Sequence, residues 1–103
     1  MAAWIWIAGV PGSPKNDGWI EVAYYSFSRT KELDFSGPLD GSYSYLLQRL
    51  VRGDLIADAV LFVPSQREFR FYKLMVTSLT SSDETMNCAL AYEKFDMKYD
   101  GSP

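Results

Sequence analysis

One segment of the chain, residues 40–53, has the hydrophobic period of an α-helix, whereas the other apolar runs alternate like strands. Its apolar side chains recur at the spacing i, i+3, i+4, i+7 and i+8, which places them on one stripe: Tyr43, Leu46, Leu47, Leu50 and Val51. Burial of an apolar side chain of this size stabilises a fold by roughly 1.5–3 kcal/mol, so the stripe needs a surface on which to dock. Because no second segment has a helical period, the sequence predicts that the helix packs on a β-sheet.

The ends of this helix are also marked in the sequence. Asp40 or Ser42 can accept a hydrogen bond from the free amides of the first turn. Arg49 and Arg52 complement the negative end of the helix dipole, and Gly53 supplies a left-handed stop. The predicted helix therefore covers about Ser42–Arg52.

The first predicted strand, residues 4–8, is apolar on both faces. Ile5 and Ile7 point to one side, and Trp4 and Trp6 point to the other. A strand with one face in water alternates apolar with polar side chains, so we expect the helix or another subunit to cover the second face. Residues 9–18 are rich in Gly and Pro, with Ser, Asn and Asp among the rest, and predict a loop.

The second predicted strand, residues 19–27, changes apolar phase near Tyr24 and Tyr25, as at a bulge or a sharp bend. Residues 28–39 form a polar connection that leads into the helix and is broken by Gly and Pro. After the helix, residues 55–63 are almost wholly apolar and predict a further strand.

Two runs in the last third of the chain each change apolar phase once. The first run changes from odd to even positions: Phe69 and Phe71, then Tyr72, Leu74 and Val76. The second changes from even to odd positions: Met86, Cys88, Leu90 and Tyr92, then Phe95, Met97 and Tyr99. The residues between them, 80–86, are mainly polar and predict the loop of a hairpin.

One hairpin register makes both phase changes coincide. It pairs apolar residues on the inner face, namely Phe69 with Met97, Phe71 with Phe95, Leu74 with Tyr92 and Val76 with Leu90. It also pairs opposite charges on the outer face, namely Glu68 with Lys98, Arg70 with Asp96 and Lys73 with Glu93. The hairpin therefore crosses from one side of the core to the other, as where a sheet turns a corner into a barrel or sandwich.

Length and composition complete the prediction of the fold. A chain of 103 residues, 48% hydrophobic, is large enough for one core and too small for two, so we expect a single domain, residues 1–103. The predicted class is mainly β, an antiparallel two-sheet β-barrel or sandwich with one α-helix. Cys88 is the only cysteine and the start lacks the pattern of a secretory signal, so we expect a cytosolic protein without disulfides.

The same composition argues against several functions. A net charge of −3 without a basic run offers no surface for nucleic acid, and no apolar run is long enough to enter and span a bilayer. With no His in the chain, Ser-His and Cys-His nucleophile pairs are excluded. Cys88 is expected to be a buried, inert thiol, and Asp83 and Glu84 to be solvated loop charges.

Sites for cofactors and metals are not predicted either. Residues 9–12 enclose a proline and precede no helix, so they do not form a phosphate loop. Asn16 and Asp17 lack the further spaced carboxylates of a cation site and are interpreted as turn residues. We therefore expect no catalytic residue, no cofactor and no metal.

Several soft motifs follow one another along nearly the whole chain. They are Ile5-x-Ile7-x-Gly9-Val10-Pro11-Gly12, Trp19-Ile20-Glu21-Val22 with Ser26-Phe27, Asp40-x-Ser42-x-x-Tyr45-Leu46-Leu47, Gly53-x-x-Ile56 with Ala59-Val60-Leu61, Phe71-Tyr72-Lys73-Leu74-x-Val76, and Tyr92-Glu93-Lys94-Phe95-Asp96-Met97. In this order they resemble the Hcp (haemolysin-coregulated protein) family of the type VI secretion system.

The resemblance implies a two-sheet β-barrel with one flanking helix and a structural, non-catalytic role. It implies hexameric rings that stack into the inner tube of a contractile, phage-tail-like machine, with effectors carried in the lumen. The partners implied are copies of the chain itself, other components of the apparatus and effectors. The implied location is the bacterial cytoplasm, with export through the apparatus and without a signal peptide.

The sequence also departs from the family. Members are longer, with a loop and a further strand where this chain has the connection 28–39, and they continue where this chain stops, at Tyr99-Asp100-Gly101-Ser102-Pro103. The alternative is therefore a shortened, non-polymerising module that binds to or regulates the same apparatus. In the ring-forming reading, the candidate subunit interface comprises Trp4, Trp6 and Trp19, because exposed indoles on one surface normally mark an association site.

Overall fold

The computed structural model describes residues 3–11, 18–27, 30–39, 41–64 and 67–99. These residues form one helix, α1 (Ser42–Arg52), and eight strands: β1 (Ala3–Ile7), β2 (Ile20–Val22), β3 (Tyr24–Phe27), β4 (Glu32–Pro38), β5 (Ile56–Val63), β6 (Arg67–Ser82), β7 (Thr85–Ala91) and β8 (Lys94–Tyr99). Most of the predicted loop 9–18, including Asn16 and Asp17, and the candidate cap Asp40 lie outside the described residues.

The strands pair antiparallel in the order β2-β1-β5-β6-β7-β4-β3, and β8 pairs with β6 beside this path. We call the β2-β1-β5-β6-β8 part sheet A and the β6-β7-β4-β3 part sheet B. Only Ala23 separates β2 from β3, and its amide donates to the Ser36 carbonyl at 2.8 Å. The two ends of the path therefore lie next to each other at Ala23, and the structure confirms the predicted mainly-β, two-sheet barrel or sandwich class with one helix.

The long strand β6 belongs to both sheets. Its first part pairs with β5 and β8 and its second part pairs with β7. Inward positions change from Phe69 and Phe71 to Leu74 and Val76, and Lys73 between them has a positive φ of 55°. The predicted phase change is thus a corner at which β6 passes from one sheet to the other.

The predicted hairpin register is confirmed on both sides of this corner, where Phe71 is opposite Phe95 and Val76 is opposite Leu90. The partner of β6 differs between the two pairs: Leu90 lies on β7 and Phe95 lies on β8, because the chain is interrupted between these two strands. A bulge between Val76 and Ser78 then shifts the register by one residue. Because of this shift the strands pair to the last residues before the turn, and the loop predicted at 80–86 shrinks to Asp83 and Glu84.

Only part of the predicted charge pairing involves side chains. The Lys73 ammonium lies 3.5 Å from the Glu93 carboxylate. Arg70 is opposite Asp96 in the ladder, but its guanidinium contacts the Asp58 carboxylate on β5 instead. A β-sheet gives each outward residue a neighbour on two sides, and the hairpin pattern identified only one of the two.

Residues 32–38, predicted as part of a polar connection, form the strand β4 between β3 and β7. Leu33, Phe35 and Gly37 face inward and are buried. A Cβ at position 37 would lie 2.3 Å from the Glu21 carbonyl oxygen, so β2 crosses β4 where only glycine fits. The strand was missed because its third inward position is a glycine, which leaves only two apolar side chains to mark the pattern.

The helix has the predicted bounds and ends at Gly53, which has a φ of 69° and donates its amide to the Arg49 carbonyl at 2.9 Å. Its N-cap is Gly41, without a side-chain hydrogen bond at the cap, and Ser42 is buried in the first turn. Ser42 is therefore the first helical residue and not the N-cap, while the other candidate, Asp40, lies outside the described residues. The helix packs against β6 through the fully buried Leu46.

The prediction that the whole apolar stripe docks is wrong. Leu46 is buried and Tyr43 and Leu50 are half-buried, but Leu47 is 40% exposed and Val51 is 77% exposed. The buried face is turned toward Arg49, whose guanidinium donates to the Gly9 carbonyl at 3.0 Å and lies 3.4 Å from the Asp54 carboxylate. These contacts fix the rotation of the helix and leave one side of the stripe in solvent.

Candidate interaction surfaces

The outer face of sheet A carries the tryptophans that the sequence predicts as an interface. Trp4 is opposite Phe62 and Trp6 is opposite Val60 in the β1–β5 ladder, and both alternate with buried isoleucines. The ring of Trp19, just before β2, lies 6.3 Å from the ring of Phe62. The fold therefore brings the three tryptophans of the sequence to one surface.

Trp6 and Trp19 are two walls of an open depression of about 480 Å³, which we call the tryptophan groove; the other described residues in its lining are Val60, Glu68 and Arg70. Trp6 is 36% exposed, and Val60 is almost completely buried although it points outward. The Arg70 guanidinium contacts the Asp58 carboxylate, and Glu68 adds a second carboxylate to this part of the sheet. The groove is thus a largely apolar surface with one carboxylate at its border.

Beside the groove, the outer face of sheet A is held by a polar contact between β6 and β8. The Tyr72 hydroxyl donates to the Asp96 carboxylate at 3.2 Å. Partial burial, together with this hydrogen bond, raises the pKa of Tyr72 above its ordinary value. Tyr72 therefore stays protonated at neutral pH and acts as a donor that links the two strands.

The outer face of sheet B has a different character. Its outward residues are mostly small or polar, although Tyr24 and Met75 are also exposed. A depression of about 280 Å³ on this side is lined by Tyr24, Asp34, Phe35, Ser36, Ser78, Asn87, Cys88 and Ala89. Tyr24, at one end, is 63% exposed. Side chains of this kind are well solvated, so this face does not require a partner.

An aromatic cluster closes the end of the barrel beneath β8. Phe27 contacts the ring of Phe69 at 4.9 Å and that of Phe95 at 5.6 Å, both edge to face. Phe71 stacks with Phe95 at 5.8 Å. Phe95 and Met97 have the predicted inward phase but remain partly exposed, because β8 pairs only with β6 among the described strands.

The second exposed apolar surface is the uncovered side of α1 and the residue that follows it. It comprises Leu47, Val51 and Leu55, and we call it the helix ridge. The sequence pattern identified Leu47 and Val51 as apolar stripe residues but assigned them to the core. A hydrophobic period shows which residues share a face, and it does not show how much of that face the fold covers.

The candidate reactive residues lie where the sequence predicts. Cys88 is buried on the inward side of sheet B, and burial raises its pKa to about 12. Asp83 and Glu84 are exposed in the turn between β6 and β7.

Within the described ranges, no group of three or more His, Cys, Asp or Glu residues is arranged to hold a metal ion. No helix of the described chain is both long and apolar enough to cross a membrane.

Comparisons with known proteins identify the fold. No model of a protein family and no curated protein sequence matches the chain. Among solved structures, Hcp2 from Salmonella typhimurium superposes with a TM-score of 0.87 at 18% identity, covering 94% of this chain and 84% of that one. A type VI secretion system effector from Yersinia pestis has a TM-score of 0.86 at 14% identity, with 94% and 88% covered.

A third structure, the secreted protein Hcp3 from Pseudomonas aeruginosa, gives a TM-score of 0.84 at 10% identity and covers 97% of this chain and 91% of that one. The three superpositions cover 84–91% of the length of the other chains. Such low identities establish the backbone arrangement and leave the surfaces to be argued from this sequence. The chain has the Hcp-like fold.

Proposed function

We propose that the protein is a structural subunit of the type VI secretion inner tube, which associates with copies of itself into hexameric rings that stack. The observation that carries the proposal is the combination of the Hcp-like fold with an uncovered apolar surface on sheet A. The proposed role is mechanical, and effectors travel in the lumen of the rings. In this proposal the chain is made in the bacterial cytoplasm and leaves through the apparatus.

The proposed subunit interface is centred on Trp4, Trp6 and Trp19. Tryptophan is the residue most enriched at the energetic centres of protein interfaces, because a large ring excludes water while losing little conformational freedom. Here two of the rings are walls of one groove, and the third lies on the same strand face. A surface of this composition is costly to leave in water, and a second subunit would cover it.

A non-catalytic role is supported by the chemistry of the side chains. The protein has no His, and its one thiol is buried with a pKa raised to about 12. A protonated, inaccessible thiol is a poor nucleophile. The described carboxylates that contact a cation, such as Asp58 with Arg70, are occupied in ion pairs that support the fold.

The alternative of a shortened, non-polymerising module rested in part on a missing strand between residues 28 and 40. The structure has β4 in that interval, paired on both sides. With this strand in place, the part of the argument that rested on a missing strand falls away. The ring-forming subunit is therefore the function that we propose.

The test is the mass and shape of the purified protein. We expect size-exclusion chromatography with light scattering to give particles of six times the 11.7 kDa chain mass, and negative-stain microscopy to show rings. Replacing Trp6 by Glu should give monomers that retain their strand content by circular dichroism. A wild type that remains monomeric at high concentration would rule the proposal out and favour the binding-module alternative.

A further inference from the structure

We propose that the depression on the outer face of sheet B binds the guanidinium group of an arginine side chain that belongs to a partner polypeptide. The contact needs only one subunit, so it goes beyond the proposed function and does not depend on the ring. The observations that carry it are the register of four strands, the charges on their outer face and an exposed aromatic ring beside the depression.

The depression exists because a small side chain lies in the middle of an outward row. Ala89 on β7 lies between Asp34 on β4 and Ser78 on β6. Cross-strand neighbours on one face have Cβ atoms about 4.5–5.5 Å apart, so a methyl group at position 89 leaves space between two polar walls. The depression, of about 280 Å³, has room for a guanidinium group and the methylene groups next to it.

The next outward row adds a hydroxyl group, an amide and an aromatic ring. Ser36 on β4 lies between Tyr24 on β3 and Asn87 on β7. The side chains of Asp34, Ser36 and Asn87 form no hydrogen bond or ion pair with another described residue. Their oxygen atoms are therefore available as acceptors for the five N–H donors of a guanidinium group.

The Asp34 carboxylate gives the depression a negative charge that the neighbouring strands do not offset. Its two ladder neighbours, Ser26 and Ala89, are uncharged. Glu32, two positions earlier on the same face of β4, is also acidic, and it accepts a hydrogen bond from the neutral hydroxyl of Thr77. The strands β3, β4 and β7 contain no Lys or Arg, and neither does the part of β6 that pairs with β7. This face is therefore complementary to a cation.

Tyr24 favours a planar cation over a compact one. Its side chain is 63% exposed, and no described ring contacts it. It is the diagonal neighbour of Asp34 across the β3–β4 ladder, so one ligand can reach both side chains. A guanidinium group stacks on an aromatic ring and donates two parallel N–H groups to one carboxylate, whereas an ammonium group is a strongly hydrated point charge. A metal ion would find only a single carboxylate in the described lining.

The position of the depression favours an arginine within a polypeptide over the free amino acid. The depression lies on the outer face of a sheet, so the main chain of a bound segment can stay above the strands while one side chain enters. Free arginine carries an α-carboxylate, which the charges of Asp34 and Glu32 repel. A peptide bond removes that charge.

The test follows the methyl group of Ala89 by NMR, in the wild-type protein with isotope-labelled alanine methyl groups. The probe is a short peptide with one arginine between glycines and with both ends blocked. The Ala89 signal should shift with a dissociation constant of the order of 1–10 mM, as for a single contact in solvent. The methyl signal of Ala59, which is buried in sheet A, should not move.

Other ligands separate charge from shape. Citrulline has the shape of arginine without its charge, so a citrulline peptide should leave the Ala89 signal unchanged. A lysine peptide keeps the charge without the planar group and should bind at least about threefold more weakly than the arginine peptide. Free L-arginine should also bind more weakly than the blocked peptide.

Matched substitutions identify the contact. Asp34→Asn should weaken binding of the arginine peptide at least about tenfold, because the charge-assisted hydrogen bonds are lost. Glu32→Gln removes the same charge from the same face outside the depression, and it should weaken binding less than about threefold. Tyr24→Leu should weaken binding about two- to fivefold, the loss expected for an exposed cation–π contact. Circular dichroism checks that each variant is folded.

Arg29 is the one cation of the β3–β4 connection that lies outside the described residues, so the titration is repeated in the Arg29→Gln variant. No shift of the Ala89 signal in either the wild type or this variant would overturn the proposal. Equal responses to the arginine peptide and to the citrulline or lysine peptide would also overturn it, because a guanidinium group would not be recognised.

Equal losses in Asp34→Asn and Glu32→Gln would show a general attraction to an acidic surface, and they would overturn the proposed site. None of these results bears on whether the wild type forms rings. The proposed function and this site therefore stand or fall by separate measurements.

Discussion

In both sheets inward and outward side chains alternate along the strands, but the outward side chains differ in polarity between sheet A and sheet B. On both sheets every second side chain enters the core, as with Ile5 in sheet A and Leu33 in sheet B. The outward positions differ: β1 presents Trp4 and Trp6, whereas β4 presents Asp34 and Ser36. The period of a strand therefore tells which side chains leave the core, and their chemical type tells whether water or another molecule covers them.

The largest expected difference between the two faces is in self-association. Trp6→Glu should raise the dissociation constant at least about 100-fold, as for a tryptophan at the centre of an interface. Tyr24→Glu, on the outer face of sheet B, should leave it unchanged although Tyr24 is the more exposed residue. Sedimentation equilibrium measures both. Equal effects of the two substitutions would break the distinction between the faces.

The helix repeats the comparison on a smaller scale, because one side of its stripe is covered and the other is not. Leu46→Ala should lower the free energy of unfolding by about 2–5 kcal/mol, the usual cost of truncating a buried leucine. Leu47→Ala should cost less than about 1 kcal/mol, since that side chain is partly in solvent. Urea denaturation of both variants is compared in the Trp6→Glu background, where assembly does not contribute. A larger effect at Leu47 would show that the helix is rotated the other way.

These outcomes bear on how much of the structure could be predicted from the sequence. The limits of α1 and the pairing of Phe71 with Phe95 were predictable, because local periodicity and opposite charges point to the same answer. The rotation of α1 was not, because it depends on a contact from Arg49 to the carbonyl of Gly9, 40 residues earlier in the chain. No local pattern records a contact over that separation.

The candidate interaction surfaces also have a part that the sequence predicts and a part that it does not. The tryptophans were predictable as an uncovered surface, since the period of β1 places Trp4 and Trp6 opposite the core. The groove itself also needs Glu68 from β6 beside Trp19, and that neighbourhood follows from the strand order. The helix ridge was unpredictable, because the sequence gives the apolar stripe but not the part that the barrel covers.

The buried thiol on the inward side of sheet B should make the free energy of unfolding depend on pH, and the residues on the outer face of this sheet should not. The pKa of Cys88 is raised from 9.0 to about 12, so the folded state disfavours the thiolate. This contribution to stability is complete below pH 9 and is lost as the pH rises toward 12, by at most about 1.4 kcal/mol per pH unit. Unfolding free energies at pH 8 and pH 10 measure it.

The matched variant for this test is Cys88→Ala, which should reduce the dependence of the unfolding free energy on pH. A part of the dependence should remain, because the pKa values of Tyr72 and Tyr92 are also raised. An identical slope in the wild type and the variant would mean that Cys88 is accessible to solvent.

The smallest expected effect concerns the exposed ion pair at the corner of β6. Lys73 and Glu93 lie 3.5 Å apart with most of both side chains in solvent. Lys73→Gln should therefore lower the free energy of unfolding by less than about 0.5 kcal/mol, and high salt should remove the difference. Guanidinium is unsuitable because it is itself a salt, so urea is the denaturant. A loss that persists in high salt would show that Lys73 has a structural role beyond the ion pair.

The most direct test of the difference between the two faces is hydroxyl-radical footprinting of the wild type at low and high protein concentration. Oxidation of Trp6 and Trp19 should fall as the subunits associate, while oxidation of Tyr24 on sheet B should stay constant and serves as the internal reference. The Trp6→Glu variant shows whether Trp19 is still protected without assembly. Unchanged oxidation of both tryptophans in particles that have formed rings would contradict the assignment of the sheet A face to the subunit interface.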